Sequence, residues 1–369
     1  MAKSKVDFLD WLRNKAAFEY WDGEITHDSS ALQQKKRLLE LASKKKLFPK
    51  TVTLFLTNRC NLLCEHCGQN SSKALPDELS FNEILNLIPK LLELKVKYVS
   101  FSGGEPFLRE DIFEIIKAFK NNGFIVGVIS NGLISNQKLL DKIADSDLDS
   151  INVSIDGLKE THNDIRKNPK SFDLAIKFLL FAKTQTRASM TSVTTCVSPK
   201  SLPELEDLCE AIFSHGSRSW VLRPISPTGR AAFNNHLFLS DDEMKSLIDF
   251  CADKVQKGID LTLSYDVGFL GRQDSILRMS PYFSGLGWDT FQICANGDVK
   301  GLSEENVPVE GNIRERDLVE IWQNEFKIYR DYIPSQTCQS CHYLGRCGGE
   351  FIPNSFTDQS CLVARGTLE

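Results

Sequence analysis

The stretch Cys60-Asn61-Leu62-Leu63-Cys64-Glu65-His66-Cys67 puts three thiols on one short loop, directly after the apolar run Thr51 to Thr57. Thiolates at these spacings can hold three irons of a four-iron cluster, which leaves the remaining iron without a protein ligand and open to another molecule. The same thiols with a fourth protein ligand could instead close a tetrahedral zinc site, and His66 is at hand for that. A second motif, Ser102-Gly103-Gly104-Glu105-Pro106, follows at the distance that a strand, a helix and another strand occupy. Alone it reads as an ordinary strand-to-helix turn. In a site, Gly103 and Gly104 would let backbone approach a ligand closely, and Glu105 would add negative charge beside it.

Cys338-Gln339-Ser340-Cys341 opens a second run that continues to Cys347, with Cys361 further on. Four thiolates suffice to close a site, and spacing alone does not choose between zinc and an iron-sulfur cluster. Seven of the eleven cysteines fall in these two groups. The first residues lack the apolar block and cleavage site of a secretory signal, so a cytoplasmic protein is expected, with clustered thiols as metal ligands rather than disulfides. Cys196, Cys209 and Cys251 sit in core-like contexts and are given no role. Cys294, on a predicted strand beside Asn296-Gly297, reads either as a small apolar residue or as a hydrogen-atom donor to a substrate radical.

The elements that must position these groups follow from pattern. Residues 1–50 read as a helical segment, with Phe8, Leu9, Leu12, Ala16 and Tyr20 on one face and a lysine-rich helix from Ala31 to Leu47. Six β-rich runs then alternate with helical ones: Thr51 to Thr57, Lys97 to Ser102, Phe124 to Ser130, Ser150 to Asp156, Ser189 to Cys196 and Arg218 to Pro224. Ser80-Phe81-Asn82-Glu83 is a capping box opening one helix, and Pro89 inside that helix should kink it or mark its boundary. Six βα units require a parallel sheet with right-handed crossovers and fall short of a closed eight-stranded barrel. The expected fold is therefore α/β, a partial TIM-like barrel over residues 51–235 whose chemistry sits at the C-terminal strand ends. Residues 236–290 read as an irregular bridge with a helix near Asp241 to Lys257, and residues 291–369 as a small cysteine-bearing domain that opens on a hairpin at Asn296-Gly297. A formal charge of −5 gives no reason to expect a nucleic-acid partner, and the longest apolar stretches are strand-length, too short for a transmembrane helix.

Taken together, the CxxxCxxC loop and the Gly-Gly-Glu-Pro turn resemble the radical S-adenosylmethionine (radical SAM) enzymes over residues 50 to 235. The resemblance implies a three-quarter barrel and a 4Fe-4S cluster on Cys60, Cys64 and Cys67, with its open iron chelated by the amino and carboxylate groups of S-adenosylmethionine. One electron then cleaves S-adenosylmethionine to methionine and a 5′-deoxyadenosyl radical that abstracts a hydrogen atom. It also implies that Gly103, Gly104 and Glu105 face the methionine ammonium, that Ser130, Ser154 and Asp156 are ribose candidates, that Arg166 takes the methionine carboxylate, and that His66 packs on adenine. Arg223 and Thr228 to Ala231 are weaker candidates for the adenine edge or the substrate, and Tyr265 and Asp266 could face the substrate.

The Asn296-Gly297-Asp298-Val299 turn, the Gly311-Asn312-Ile313 stretch and Trp322 resemble the SPASM extension of the same superfamily, so a second, auxiliary 4Fe-4S cluster on Cys338, Cys341, Cys347 and Cys361 is expected. A complete extension has seven cysteines; here Leu302, Phe351 and the segment Gly285 to Trp288 stand where three would be, which leaves one auxiliary cluster. The whole is most similar to maturases of ribosomally made peptides, which implies a crosslink, an epimerised centre or an oxidised side chain as product. A flavodoxin or ferredoxin would donate the electron, and a leader-binding protein could be a separate chain. The alternatives are a radical SAM enzyme acting on a sugar, an amino acid or a tetrapyrrole, and a non-catalytic iron-sulfur or zinc scaffold.

Overall fold

The structure is a computed structural model that describes residues 40–278, 285–304, 307–331, 336–347, 361–363 and 366–368. The expected helical face from Phe8 to Tyr20 and most of the lysine-rich helix lie outside the described residues, as does Phe351. The chain alternates strand and helix through β1 (Thr51–Phe55), α1 (Phe81–Glu93), β2 (Tyr98–Ser102), α2 (Ile112–Asn121), β3 (Ile125–Ser130), α3 (Gln137–Asp145) and β4 (Ser150–Ser154). Two helices, α4 (Lys159–Ile165) and α5 (Ser171–Gln185), precede β5 (Met190–Val197), followed by α6 (Leu205–Ser214), β6 (Ser219–Pro224), α7 (Asp241–Gln256) and β7 (Leu261–Leu263). The last part of the sheet is β8 (Thr290–Ile293), β9 (Asp298–Lys300) and β10 (Gly311–Asn312), with α8 (Leu318–Asn324) after it.

All six expected strands are present and parallel in sequence order. Two further parallel strands extend them. β7 pairs with β6 at one edge, and β8 pairs with β1 at the other, Thr51 opposite Thr290 and Leu54 opposite Ile293. The partial barrel is thus wider than its six-unit nucleus, and the segment that follows the bridge enters the same sheet. β8, β9 and β10 form the antiparallel edge, turned by Asn296-Gly297 as expected.

The side-chain alternation explains why the barrel is hollow at its C-terminal end. Outward positions such as Val52, Leu54, Val99, Phe101, Ile151, Val153, Trp220 and Leu222 are buried and belong to the main apolar core. Inward positions carry Thr53, Ser102, Ser154, Thr194 and Thr262, small polar residues where a closed barrel stacks branched apolar ones. α1 opens on the predicted capping box, Ser80 accepting from Glu83 N and Glu83 from Ser80 N. It runs through Pro89 to Glu93, so Pro89 is not its boundary; buried Ile84, Leu87, Ile88 and Leu91 hold both sides of the proline against the core. Arg314 reaches from beyond β10 to Glu83 at 2.5 Å, tying the C-terminal part to α1.

Candidate active site

The strand ends surround a cavity of about 600 Å³. Cys60, Cys64, Cys67 and His66 line it from the loop after β1, Gly103 and Gly104 from the end of β2, Ser130 from β3, Ser154 from β4, and Arg166 from the end of α4. These nine sequence-predicted residues therefore converge on one space, joined by the further candidates Arg223, Thr228, Arg230 and Tyr265.

The thiol loop has no regular structure of its own and is held by its neighbours. Gly104 N donates to Thr57 O at 2.8 Å and Glu105 N to Arg59 O at 2.9 Å. A Cβ on Gly103 would lie 2.3 Å from Thr57 O, and one on Gly104 2.3 Å from Arg59 O. The two glycines are thus needed for the start of the thiol loop to seat on the β2 turn, a contact the sequence reading had reserved for a ligand. On one side Glu78 accepts from Thr57 Oγ1 at 2.9 Å and Asn58 N at 2.6 Å. On the other, Arg230 donates to Cys64 O at 2.8 Å, Ser71 O at 2.9 Å and Asn70 Oδ1 at 3.1 Å. Neither brace was read from the sequence: Arg230 stood there only as a candidate for adenine or substrate, and Glu78 carries no local signal of its use.

Glu105 is corrected from a ligand-facing carboxylate to an internal bracket. It is buried, is absent from the cavity wall, and accepts from Ser130 Oγ at 3.0 Å, Asn131 N at 2.8 Å and Phe107 N at 3.3 Å. Burial pushes its pKa up to about 7 against the pull of those backbone donors. Ser130 lines the cavity but spends its proton on Glu105 and accepts from Gly132 N. Asn131, beside it, donates to Asn61 Oδ1 at 2.8 Å and to Cys60 Sγ at 3.7 Å.

Asp156 is likewise moved from the wall to the layer behind it. It is fully buried; Oδ2 accepts from Arg166 Nε at 2.7 Å and lies 3.4 Å from His66 Nε2, and Oδ1 accepts from Cys196 N at 3.0 Å. Burial opposes the Arg166 charge, yet the Asp156 carboxylate holds the guanidinium above its ordinary value. Burial equally opposes the Asp156 charge, and Arg166 more than offsets it, so the pair is ionised. Burial pushes His66 down to about 4 despite Asp156, which leaves a neutral imidazole. Of the Arg166 nitrogens, only Nε has a protein hydrogen-bond partner among the described residues. Ser154 has none for its hydroxyl.

Cys294 does not line the cavity; burial pushes its thiol up to about 11, and it packs beside the β8–β9 turn. The hydrogen-donor reading has no geometric support. The side chain of Asp266 lies outside the described ones, while Tyr265 lines the cavity with the Arg278 guanidinium 5.0 Å from its ring. Cys196, given no role from sequence, lines the cavity, its Sγ within 4.8 Å of ligand atoms of His66 and Asp156.

The thiols fit a multi-iron group better than one ion. Zinc at about 2.3 Å from each sulfur holds its sulfurs about 3.8 Å apart, whereas the three Sγ atoms of Cys60, Cys64 and Cys67 are not all within 4.8 Å of one another. Burial pushes Cys64 up to about 12, so its thiolate needs a cationic partner. Ser71 N donates to Cys67 Sγ at 3.4 Å, as an N–H does to a bound sulfur. Outside the lining of this cavity, Cys341 and Cys347 pack against the buried pair Phe269 and Tyr343, as does Val363, two residues beyond Cys361. Cys338 sits on the short helix Gln336–Gln339, its carbonyl accepting from Cys341 N at 3.1 Å.

A parallel βα barrel that turns three thiols and a guanidinium toward one cavity at its strand ends defines an enzyme of the cofactor-dependent barrel class. Residues 54–212 match the radical SAM superfamily model. The chain thus carries a radical SAM domain over those residues, and that family implies a 4Fe-4S cluster and S-adenosylmethionine. It is 25% identical over 335 residues to the mycofactocin maturase MftC of Mycolicibacterium smegmatis, covering 89% of this chain and 84% of that protein. It is 27% identical over 326 residues to the AdoMet-dependent heme synthase of Methanosarcina barkeri, covering 82% and 90%. Its fold is similar to that of Streptococcus suis SuiB bound to precursor peptide SuiA, with a TM-score of 0.67 at 16% identity over 89% of this chain and 80% of that one.

Proposed function

We propose that Cys60, Cys64 and Cys67 hold the 4Fe-4S cluster, and that the chain uses S-adenosylmethionine to modify a ribosomally made peptide by crosslinking, epimerisation or side-chain oxidation. The observation that carries the reading is the convergence of the three thiols and Arg166 on one cavity. When bound, the cluster supplies the electron that cleaves S-adenosylmethionine to the radical that takes a hydrogen atom from the substrate. The chain's own residues bind and orient. Arg166 has terminal amines for the methionine carboxylate, Ser154 a hydroxyl for the ribose, and His66 a neutral ring for adenine. The buried bracket of Glu105 with Ser130 and Asn131 ties the β2 end to the β3 end, and Asn131 in turn reaches Asn61 of the thiol loop.

A peptide substrate is supported by the likeness to a maturase along most of both chains and by the fold shared with a structure that holds a precursor peptide. Cys338, Cys341, Cys347 and Cys361 would carry one auxiliary cluster, in the unit formed by residues 291–369; the packing of Cys341 and Cys347 on Phe269 and Tyr343 supports this. A flavodoxin or ferredoxin is the proposed electron donor, and a leader-binding protein a separate partner. The second reading is a small-molecule substrate of tetrapyrrole type, favoured by the likeness to heme synthases over a similar span. Anaerobic reaction of the reconstituted enzyme with a precursor peptide encoded beside its gene, followed by mass spectrometry, decides between them. A mass change confined to the peptide's core region supports the maturase. An unmodified peptide, with an iron-porphyrin substrate converted instead, supports the other.

A further inference from the structure

We propose that Asp156 is a positioning residue that holds Arg166 in place for the carboxylate of S-adenosylmethionine, rather than a ribose ligand. The proposal rests on the reading of the cavity as the S-adenosylmethionine site. Asp156 is fully buried at the end of β4 and makes no part of the cavity wall, so it cannot reach a ligand there. Three different segments meet on its two oxygens: Nε of Arg166 from the end of α4, Nε2 of His66 from the thiol loop, and the backbone N–H of Cys196 from β5. Each of these three residues lines the cavity. The geometry therefore places one fixed acceptor behind three wall positions.

The direction of the Arg166 contact matters. Asp156 engages Nε, the inner nitrogen of the guanidinium, and leaves the two terminal amines without a protein partner among the described residues. A guanidinium gripped at Nε keeps its planar fork aimed one way, which is the orientation needed for bidentate capture of a carboxylate. His162 completes the support. Its Nδ1 accepts from Asp156 N at 3.0 Å, one turn before Arg166 on the same helix, so the β4 end and α4 are locked at both the main chain and the side chain. The His66 contact extends the lock to the loop between Cys64 and Cys67. A polar group on β4 thereby couples the position of the thiol loop to that of the carboxylate-binding arginine.

The test is a double-mutant cycle in S-adenosylmethionine binding, measured by anaerobic calorimetry on reconstituted wild type, Asp156→Asn, Arg166→Ala and the double variant, with iron content and melting temperature recorded for each. Loss of an oriented charged hydrogen bond predicts binding about ten- to a hundredfold weaker in Asp156→Asn. If Asp156 acts through Arg166, adding Asp156→Asn to Arg166→Ala costs little more. 5′-Methylthioadenosine, which has the ribose and adenine but no carboxylate, competes equally well on wild type and Asp156→Asn. An undiminished Asp156→Asn effect in the Arg166→Ala background overturns the proposal, as does an equal loss of 5′-methylthioadenosine competition, because either means direct contact or general collapse. Unchanged S-adenosylmethionine binding in Asp156→Asn also overturns it. Wild type that binds no S-adenosylmethionine at all refutes instead the reading of the cavity itself.

Discussion

Gly104→Ala isolates the steric demand of the β2 turn, because the clash there is with backbone. The added Cβ would meet Arg59 O at 2.3 Å, Arg59 C at 2.7 Å and Asn58 O at 2.9 Å. None of these atoms can swing aside as a flexible side chain would. Either the contact is borne, at the about 1–3 kcal/mol typical of overpacking, or the thiol loop moves off and loses the Gly104–Thr57 and Glu105–Arg59 hydrogen bonds, each worth about 1 kcal/mol. A destabilisation of about 1–3 kcal/mol follows, which at about 2–4 °C per kcal/mol lowers the melting temperature by about 2–12 °C. Since the loop carries the three thiols, iron retention after gel filtration should fall with it. Gly123→Ala is the control. Gly123 has φ +85° but nothing within 4 Å of its added Cβ, so it pays only for the left-handed backbone, about 1–2 kcal/mol. Differential scanning fluorimetry and iron analysis on both variants test the argument. If Gly104→Ala melts within about 2 °C of wild type and keeps its iron, the turn does not seat the loop and the reasoning fails.

Arg230→Gln should lower iron retention without changing secondary structure, because three acceptors around the thiol loop lose their donor; full retention would show that the loop is held without it. Glu105 has a folded pKa near 7, above its ordinary 4.5, so the folded state binds the extra proton between those values. Its stabilising contribution is present below about pH 4.5 and is lost as pH rises through about 7; Glu105→Gln should flatten the melting temperature between pH 5 and 8, and an unchanged slope would refute this. Cys294→Ser should leave 5′-deoxyadenosine formation and product unchanged, since Cys294 is off the cavity wall; an altered product by mass spectrometry would return the thiol to the mechanism.

Much of this arrangement was legible in sequence because its signals are local. The thiol spacing, the Gly-Gly turn, the capping box at Ser80 and the six β-rich runs each depend on residues close together in the chain. What was illegible depends on distant partners. β7 is only Leu261–Leu263, too short for its alternation to stand out, and it is a strand because β6 offers a free edge. β8 reads as the start of a hairpin, and nothing near Thr290 announces that it will pair with β1. The roles of Glu105 and Asp156 were misread for the same reason. A carboxylate at a strand end can face a ligand or a neighbouring strand, and only the tertiary positions of Asn131 and Arg166 decide which. Arg230 and Glu78 brace a loop more than a hundred residues away in one case and about twenty in the other, with no pattern to mark either.

The most direct test of the central claim is iron and sulfide content after anaerobic reconstitution, on wild type and on a variant with Cys60, Cys64 and Cys67 all changed to Ala, with 5′-deoxyadenosine formation assayed in parallel. Three loop thiols holding a reactive cluster and four C-terminal thiols holding an auxiliary one predict about eight irons falling to about four, with 5′-deoxyadenosine formation abolished. Iron content unchanged in the variant, or 5′-deoxyadenosine formed without the three thiols, would contradict the assignment of the cavity.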